Sequence, residues 1–242
     1  MIAIGIIPAR WGSTRFEGKV LADIGGKPMI QHVWERTKKS QHLKEVLIAT
    51  DDDRIKNAAQ KFGASVIMTA ASHPSGTDRI AEAVSRIECD VVVNIQGDEP
   101  LIQHKVIDDL VQVFVKNPAT VMATVIKKLT NEADFLNPNV VKVVVDQQGN
   151  AIYFSRAPIP FNRDGVPFEK LKVYKHLGIY AYRKDFLMGF KNLPVSILEQ
   201  TEKLEQLRVL EAGYKISTVV TDIETIGVDT RDDLEKVLKV QI

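Results

Sequence analysis

Short apolar runs alternate with amphipathic segments of helical length through the first half of the chain. The apolar runs predict strands at 2–7, 46–50, 65–68, 91–95 and 121–125, and the intervening apolar periodicity predicts helices at 30–39, 54–62, 79–87 and 106–116. This alternation is typical of βαβ units and a mostly parallel sheet. The run at 91–95 is almost wholly apolar, which indicates a strand covered by helices on both faces. We therefore predict an α/β fold.

The rhythm changes near residue 129. Two apolar segments, 140–146 and 151–155, flank a Gln147-Gln148-Gly149-Asn150 turn and predict an antiparallel hairpin. Prolines then interrupt regular structure until a predicted strand at 173–182. We interpret 129–195 as an antiparallel insertion within a single domain of residues 1–242, either an extra lobe or a dimer platform, since exposed strand edges need cover.

The C-terminal part returns to alternating elements. The pattern predicts a helix at 197–212, a strand at 215–220 and a last helix that begins after Thr230. On the first of these helices, Glu202, Glu205 and Gln206 share one turn, where they could bind the hydroxyls of a polyol or form a solvated face.

Composition narrows the classes of function. The chain has 242 residues, with 32 Lys and Arg against 31 Asp and Glu, for a formal net charge of +1. No run of like charges suggests a nucleic-acid groove or an anionic membrane as partner. Cys89 is the single cysteine, which we interpret as a buried structural thiol. With no apolar stretch near the ~20 residues of a membrane span and no charged leader, we expect a soluble cytoplasmic protein.

A cationic loop follows the first strand. It contains Arg10, Ser13, Arg15, Gly18 and Lys19. Cations and glycines at the carboxyl end of a strand suit a polyphosphate, although a basic surface loop is the alternative. A P-loop is excluded because Leu21 and Pro28 stand where it needs glycine and Ser or Thr, and no G-x-G-x-x-G follows the strand.

Two separated acids are candidate metal ligands. Asp98 follows the apolar strand at 91–95, and Asp229 precedes Thr230, the more natural helix cap. Carboxylates beside a polyphosphate favour Mg²⁺, although each acid alone could be a turn residue. The run of acids at 51–53 is explained by capping of the next helix, and we assign it no catalytic role.

Other polar groups could bind the rest of two substrates. The segment Ser75-Gly76-Thr77-Asp78-Arg79 opens a helix and could line a base or ribose, or be an ordinary capped helix start. An acidic acceptor would need its own cation, and Arg156 and His176 lie in the predicted insertion, with Arg163 as a looser candidate.

Ten ordered segments together resemble the CMP-Kdo synthetases, the 3-deoxy-manno-octulosonate cytidylyltransferases. They are IPARWGSTRFEGK at 7–19, GGKPMIQHV at 25–33, ATDDDRI at 49–55, HPSGTDRIAEA at 73–83, NIQGDEPLI at 94–102, NPNVVKVVVD at 137–146, YFSRAPIPF at 153–161, KHLGIYAYRKDFL at 175–187, LEQTEKLEQLRVLEAG at 198–213 and GVDT at 227–230. The resemblance implies a homodimer with a nucleotide-diphospho-sugar-transferase-like α/β fold. It also implies Mg²⁺-dependent transfer of CMP from CTP to the anomeric hydroxyl of 3-deoxy-D-manno-octulosonate (Kdo), with release of pyrophosphate, for lipopolysaccharide biosynthesis.

The resemblance also implies roles for the matching residues. Arg10, Ser13, Arg15 and Lys19 match the family's triphosphate loop, and Ser75 to Arg79 match its nucleotide side. Asp98 and Asp229 match its Mg²⁺ ligands and, with Lys19, its catalytic groups. Gln96, Arg156, His176, Glu205 and Gln206 match the side that receives the acidic sugar.

One loop departs from the family pattern, and rival functions stay open. The family loop commonly reads Arg-Leu-Pro-Gly-Lys-Pro, whereas this chain has Arg15-Phe16-Glu17-Gly18-Lys19-Val20, so it lacks two prolines that would stiffen the loop. The acceptor could instead be a nine-carbon sialic acid or an amino-sugar variant. A non-catalytic nucleotide-sugar sensor is the rival from another class.

Overall fold

The computed structural model describes residues 1–12 and 16–240. The strands are β1 (Ala3–Ala9), β2 (Asp23–Ile24), β3 (Lys27–Pro28), β4 (Leu43–Thr50), β5 (Ser65–Met68), β6 (Val91–Asn94), β7 (Met122–Lys128), β8 (Lys142–Val145), β9 (Ala151–Ser155), β10 (Tyr174–Arg183) and β11 (Ile216–Thr221). The helices are α1 (Met29–Thr37), α2 (Asp53–Lys61), α3 (Gly76–Val84), α4 (His104–Lys116), α5 (Glu132–Leu136), α6 (Lys184–Phe190), α7 (Ile197–Glu202), α8 (Gln206–Glu211) and α9 (Arg231–Lys239).

Within these ranges, one nine-stranded sheet organises the molecule. Its main path runs β11-β7-β10-β6-β1-β4-β5, and β8 and β9 branch from β10. Strand β1 is parallel to β4 and β6, β4 is parallel to β5, and β7 is parallel to β11. Only β10 on this path is antiparallel to its described neighbours, β6 and β7. The mostly parallel α/β sheet predicted from the sequence is therefore confirmed.

Helices cover both faces of the sheet because the central strands are apolar on both sides. Successive side chains of a strand point to opposite faces. In β6, Val91 and Val93 belong to a core packed by α1, α2 and α4, whereas Val92 belongs to a second core packed by α3, α6 and α8. All three side chains are fully buried. The carboxyl ends of the strands are left as the accessible edge.

The predicted hairpin is present and extends the main sheet. Strand β8 pairs antiparallel with β9, and Lys142 and Val143 also pair with the beginning of β10. The Lys142 side chain is fully buried, and its Nζ donates to the carbonyl oxygens of Asn137 at 2.8 Å and Val140 at 2.6 Å. These bonds satisfy a cation that would otherwise be costly to bury. The extent of a lobe at 129–195 within one domain of residues 1–242 stays a prediction.

The single helix predicted at 197–212 is wrong. The chain forms α7 and α8, separated at Lys203, which has a left-handed φ of 55°. The Lys203 amide donates to the Glu199 carbonyl at 2.8 Å and ends α7 there. Apolar periodicity continued across this break because Leu204 and Leu207 are both buried. Periodicity reports which residues are buried and does not report a local left-handed residue.

The acids at 51–53 divide their roles. Asp52 caps α2 by accepting from the Arg54 amide at 2.9 Å, as predicted. Asp51 forms an ion pair with Arg79, with Oδ1 and Nη1 3.1 Å apart, so capping does not explain this residue.

In the described part of the chain, no helix combines the length and the apolar character that crossing a membrane requires.

The cap of α9 gives a stability prediction. Thr230 Oγ1 accepts from the Asp233 amide at 3.2 Å, and Asp233 Oδ2 accepts from the Thr230 amide at 3.1 Å. We expect Thr230→Ala to lower the free energy of unfolding by about 1 kcal/mol, because an amide of the first turn loses its acceptor. Urea denaturation measures the change. Thr230→Ser keeps the hydroxyl and should retain most of the stability; equal losses in both variants would contradict the capping role.

Candidate active site

A pocket lies where β1 and β6 end. Its volume is about 340 Å³. The predicted site residues that line it are Arg10, Lys19, Ser75, Arg79, Gln96, Asp98 and Asp229. Because β1 and β6 are parallel neighbours, the loops that follow them leave from the same edge of the sheet. The topology thus brings the cationic loop and the first acid together.

A glycine allows these two loops to approach closely. A Cβ on Gly97 would lie 3.1 Å from the Pro8 carbonyl oxygen and 3.5 Å from the Ile7 side chain. A side chain at position 97 would therefore push the loop after β6 away from the loop after β1. Gly97 places Asp98 beside the cationic loop.

Lys19 joins both candidate metal ligands. Its Nζ lies 2.6 Å from Asp98 Oδ2 and 2.8 Å from Asp229 Oδ1, and it donates to the Val228 carbonyl at 3.1 Å. Burial alone would lower the pKa of Lys19, but the charges of Asp98 and Asp229 and their hydrogen bonds outweigh it and raise this pKa. Lys19 is therefore a cation held between two carboxylates.

The backbone reinforces this junction. The Val228 amide donates to the Asp98 carbonyl at 2.8 Å, which ties the segment before α9 to the loop after β6. Asp229 is thereby fixed opposite Asp98, although 131 positions separate the two in the numbering of the chain. The sequence placed Asp98 and Asp229 only at the ends of different strands. In the structure, both contact Lys19 Nζ.

The carboxylate pair fits a divalent cation. Both acids direct an oxygen to the same positively charged group, and both are partly exposed to the pocket. Carboxylate oxygens are the ligands that Mg²⁺ takes together with substrate phosphates. Among the described residues, no group of three or more His, Cys, Asp or Glu side chains could hold a metal. The remaining ligands of such an ion would come from phosphate and water.

The neighbouring acid Glu99 faces the interior. It is buried, and burial, with the charge of Asp98, raises the pKa of Glu99 to about 8. At pH 7 its carboxyl group is therefore largely protonated. Of the two consecutive acids, only Asp98 lines the pocket and presents a charge there.

The nucleotide-side segment forms the opposite wall. Ser75 caps α3 by accepting from the Asp78 amide at 3.2 Å, so the segment is both a capped helix start and a pocket wall. Arg79 is buried, and its Nη1 donates to Thr69 Oγ1 at 2.6 Å. The ion pair with Asp51 also fixes this guanidinium. Arg79 is a rigid part of the wall.

Part of the predicted acceptor side adjoins this wall. Gln96 lines the pocket, and its amide nitrogen donates to Asn94 at 3.2 Å. Glu205 accepts from Thr77 Oγ1 at 2.5 Å. Burial raises the pKa of Glu205, while hydrogen bonds from Thr77 and Ser75 oppose the shift.

Gln206 carries an unused donor. Its side chain is buried, and its Nε2 has no hydrogen-bond partner in the part of the chain that the structure describes. Buried polar atoms are almost always paired, so an orphan donor beside Glu205 suits an oxygen-rich ligand.

Arg156 and His176 do not line the pocket among the β1 and β6 loops. Arg156 Nε donates to the Glu202 carbonyl at 2.8 Å, and Nη1 donates to the Pro138 carbonyl at 3.1 Å. These bonds connect the end of β9 with the end of α7. His176 lies on β10 between the rings of Phe154 and Tyr180, with centroid distances of 5.0 and 5.3 Å.

His176 is held as a neutral ring. Burial lowers the pKa of His176 to about 3. Thr124 Oγ1 donates to the Ile179 carbonyl at 2.8 Å, so its single proton is committed there. The His176 Nε2, 2.9 Å from the same hydroxyl, must then be the donor.

Ser13 and Arg15 lie outside the described residues, so their assignment to the triphosphate loop stays a prediction. Sequence reasoning missed His73 and Gly97, which also line the pocket. The His73 ring contacts the Glu82 carboxylate. His73 is the first residue of the segment at 73–83 that resembles the family. Its position next to Ser75 could have identified it as a candidate pocket residue.

Comparisons with known proteins identify the family of this chain. A family model described as cytidylyltransferase matches residues 4–216. A 3-deoxy-manno-octulosonate cytidylyltransferase of Geobacter sulfurreducens is 53% identical over 242 residues, covering 97% of each chain. This chain belongs to the 3-deoxy-manno-octulosonate cytidylyltransferase family. A relative with the same name from Solibacter usitatus is 52% identical, covering 97% of this chain and 92% of that one.

Solved structures of this family and of more distant proteins share the fold. A CMP:2-keto-3-deoxy-manno-octonic acid synthetase complexed with CTP is 46% identical, with a TM-score of 0.95 and coverage of 99% of this chain and 98% of that chain. A 4-diphosphocytidyl-2C-methyl-D-erythritol synthase from Anaerococcus prevotii is 12% identical, with a TM-score of 0.66 and coverage of 99% and 97%. The second likeness shows the fold alone.

The environment of His176 predicts its titration. We expect the imidazole to stay neutral from pH 5 to pH 8, because burial lowers its pKa to about 3. NMR measures this through the chemical shift of the His176 Cε1 proton, assigned by loss of its signal in His176→Gln. That shift should stay constant over the range, and a titration step between pH 5 and pH 8 would contradict the neutral ring.

Proposed function

We propose that this cytidylyltransferase transfers CMP from CTP to the anomeric hydroxyl of Kdo, forming CMP-Kdo for lipopolysaccharide biosynthesis. The meeting of Lys19 with Asp98 and Asp229 in the pocket carries the proposal. It joins a cation suited to a triphosphate with two carboxylates suited to a metal. The full-length similarity to relatives named for this reaction supports the choice of acceptor.

The reaction needs no covalent intermediate with the enzyme, and the main task of the site is to neutralise the negative charge of the phosphates. The hydroxyl oxygen of the sugar loses its proton to water and forms a bond to the α-phosphorus of CTP. The bond from that phosphorus to the bridging oxygen breaks, so pyrophosphate leaves with the electron pair. Arg10 and Lys19 line the pocket and would neutralise the charge that develops on the departing phosphates. Ser13 and Arg15 belong to the same proposal through the matching loop.

Asp98 and Asp229 are the residues that would hold Mg²⁺. When bound, this ion supplies positive charge to the phosphate oxygens and helps to orient them. Lys19 Nζ already holds one oxygen of each carboxylate at one point, 2.6 Å from Asp98 Oδ2 and 2.8 Å from Asp229 Oδ1.

The pocket and the residues that adjoin it would divide the two substrates. Gln96 lines the pocket, whereas Glu205 and Gln206 are not part of its described lining. Ser75 and Arg79 would bind the nucleotide, whereas Gln96, Glu205 and Gln206 would bind the sugar acid. The unpaired Gln206 donor and the partly buried Glu205 carboxyl group suit the hydroxyl groups of a polyol. Arg156 and His176 complete the acceptor side in this proposal, and His176 can donate a hydrogen bond without carrying a charge. The cytoplasmic location stays a prediction.

Product formation tests the reaction and the acceptor together. The protein incubated with CTP, Mg²⁺ and Kdo should release pyrophosphate and form CMP-Kdo, detected by mass. Chelation of the metal with EDTA should stop turnover, and added Mg²⁺ should restore it. Faster pyrophosphate release with a nine-carbon sialic acid than with Kdo would overturn the acceptor, and turnover that resists EDTA would overturn the metal.

Asp98→Asn tests catalysis against a nucleotide-sensing role. We expect turnover to fall by about 10²-fold or more, because one of the two carboxylates loses its charge. Asp109→Asn is the matched control, since Asp109 lies on α4 and pairs with Lys105 at 2.6 Å outside the pocket. Steady-state pyrophosphate release measures both variants. Unchanged turnover in Asp98→Asn would contradict the catalytic assignment.

A second copy of the chain is the proposed partner. Strand β9 pairs only with β8 among the described strands of its sheet. Exposed apolar side chains lie on this hairpin and beyond it: Ile152 on β9, and Phe161, which is 86% exposed, after it. Val195 and Ile197, later in the chain, are exposed as well. Apolar groups and an open strand edge of this kind favour association.

Light scattering tests the dimer. We expect the wild type to have twice the 27.0 kDa mass of one chain and Phe161→Asp to shift toward the monomer, because a charge would be buried at the interface. Val115→Asp, at another exposed apolar position, should leave the mass unchanged. A monomeric wild type at micromolar concentration would overturn the proposal.

A further inference from the structure

The cationic loop contains a tight turn that has an unexpected residue at its first central position. The Lys19 amide donates to the Phe16 carbonyl at 3.3 Å, so Glu17 and Gly18 are the central residues. Gly18 has φ 65° and ψ 16°, the conformation of the second central residue in a type II turn. Proline is favoured at the position that Glu17 occupies, because its ring presets φ. Glu17 provides no such restraint, so the turn must be held in another way.

Trp11 supplies contacts that hold this turn. Its Nε1 donates to Glu17 Oε1 at 2.8 Å, and its carbonyl accepts from the Gly18 amide at 3.0 Å. The ring also packs on the turn, because a Cβ at Gly18 would lie 2.8 Å from Trp11 Cη2. The two ends of the loop are therefore joined through one side chain and one backbone bond.

Arg54 fixes Trp11 to the body of the protein. Its guanidinium carbon lies 3.6 Å from the centroid of the Trp11 ring. Arg54 Nε and Nη2 donate to the two oxygens of Asp52 at 3.0 and 2.6 Å, and Asp52 is the cap of α2. A paired guanidinium has little freedom to leave the ring. The order of contacts runs from α2 through Arg54 and Trp11 to the turn that precedes Lys19.

We propose that Trp11, Glu17 and Arg54 form a clamp that positions Lys19 for the triphosphate and replaces the restraint of a proline at position 17. This inference rests on the proposed function, in which Lys19 binds phosphate. The three are positioning residues, since none of them lines the pocket in the described structure. Position 17 has no proline to restrain the backbone of the turn, so the side-chain contacts of the clamp restrain it instead.

The clamp predicts a selective loss of CTP affinity. Arg54→Ala should raise the Kd for CTP about fivefold, the size expected when one stacked cation is removed. The KM for Kdo should stay the same, because the described contacts of the clamp are to the nucleotide loop and to the cap of α2, and none is to a predicted acceptor residue. Arg86→Ala is the matched control, since Arg86 is exposed and makes no hydrogen bond or ion pair in the described structure, and its Kd for CTP should equal that of the wild type. Calorimetry measures CTP binding and follows each variant's thermal unfolding.

Rescue by proline separates positioning from general stability. In Glu17→Pro, the proline ring restrains the backbone of the turn. The substitution removes no described hydrogen bond of the backbone, because the Glu17 amide donates none. Adding Arg54→Ala to this variant should therefore change the Kd for CTP by less than twofold. An equal fivefold loss in both backgrounds, or no loss from Arg54→Ala alone, would overturn the clamp. Trp11→Phe provides a second route if Arg54→Ala unfolds. It keeps an aromatic ring but loses the Nε1 donor and the ring edge that packs on Gly18, so it should weaken CTP binding more when Glu17 is present than in Glu17→Pro.

The readout distinguishes this inference from the proposed reaction. CTP binding is measured without the acceptor, so a wrong acceptor would leave the comparison intact. A wild type that turns over CTP with Kdo but shows no coupling between positions 17 and 54 would leave the reaction standing and remove the clamp.

Discussion

The contact of one ammonium with two carboxylates connects the parts of this molecule on which the site depends. Lys19 follows β1, Asp98 follows β6 and Asp229 precedes α9. Burial of the lysine opposes its charge, but the two acids outweigh burial, and the cation is retained. Without that cation, two like charges would face each other at the same point, so the segments before α9 and after β6 would repel. The ion pairs and the Val228 backbone bond together fix the pocket.

The site has two electrically different halves. On the triphosphate side, charge is maintained by ion pairing between Lys19 and its acids. On the proposed acceptor side, burial disfavours charge: it lowers the pKa of His176 and raises that of Glu205. A polyanion and a polyhydroxylated acid need such different surroundings, since the first is bound mainly by charge and the second mainly by directed hydrogen bonds.

Much of the fold and part of the site could be predicted from local patterns. Apolar runs located the central strands, and the rule that ligands bind at carboxyl ends placed Lys19 and Asp98 near each other. Local patterns could not show the left-handed Lys203, which divides α7 from α8. Nor could they show the stack of Arg54 on Trp11, because that contact depends on how two separate segments of the chain meet. Pairings such as Thr77 with Glu205 arise only when α3 and α8 cover the same face.

The direction of β10 has a consequence for how the chain closes on itself. Strand β7 ends at the edge where the pocket lies, and β10 carries the chain back to the opposite edge without a crossover helix. After α6, α7 and α8, the chain begins β11 at the edge opposite the pocket, and β11 runs parallel to β7. Because β11 ends at the edge where the pocket lies, the segment that follows it places Asp229 in the pocket. The reversed strand β10 thus returns the chain to the opposite edge of the sheet and lets the last tenth of the polypeptide complete a site that its first nineteen residues begin.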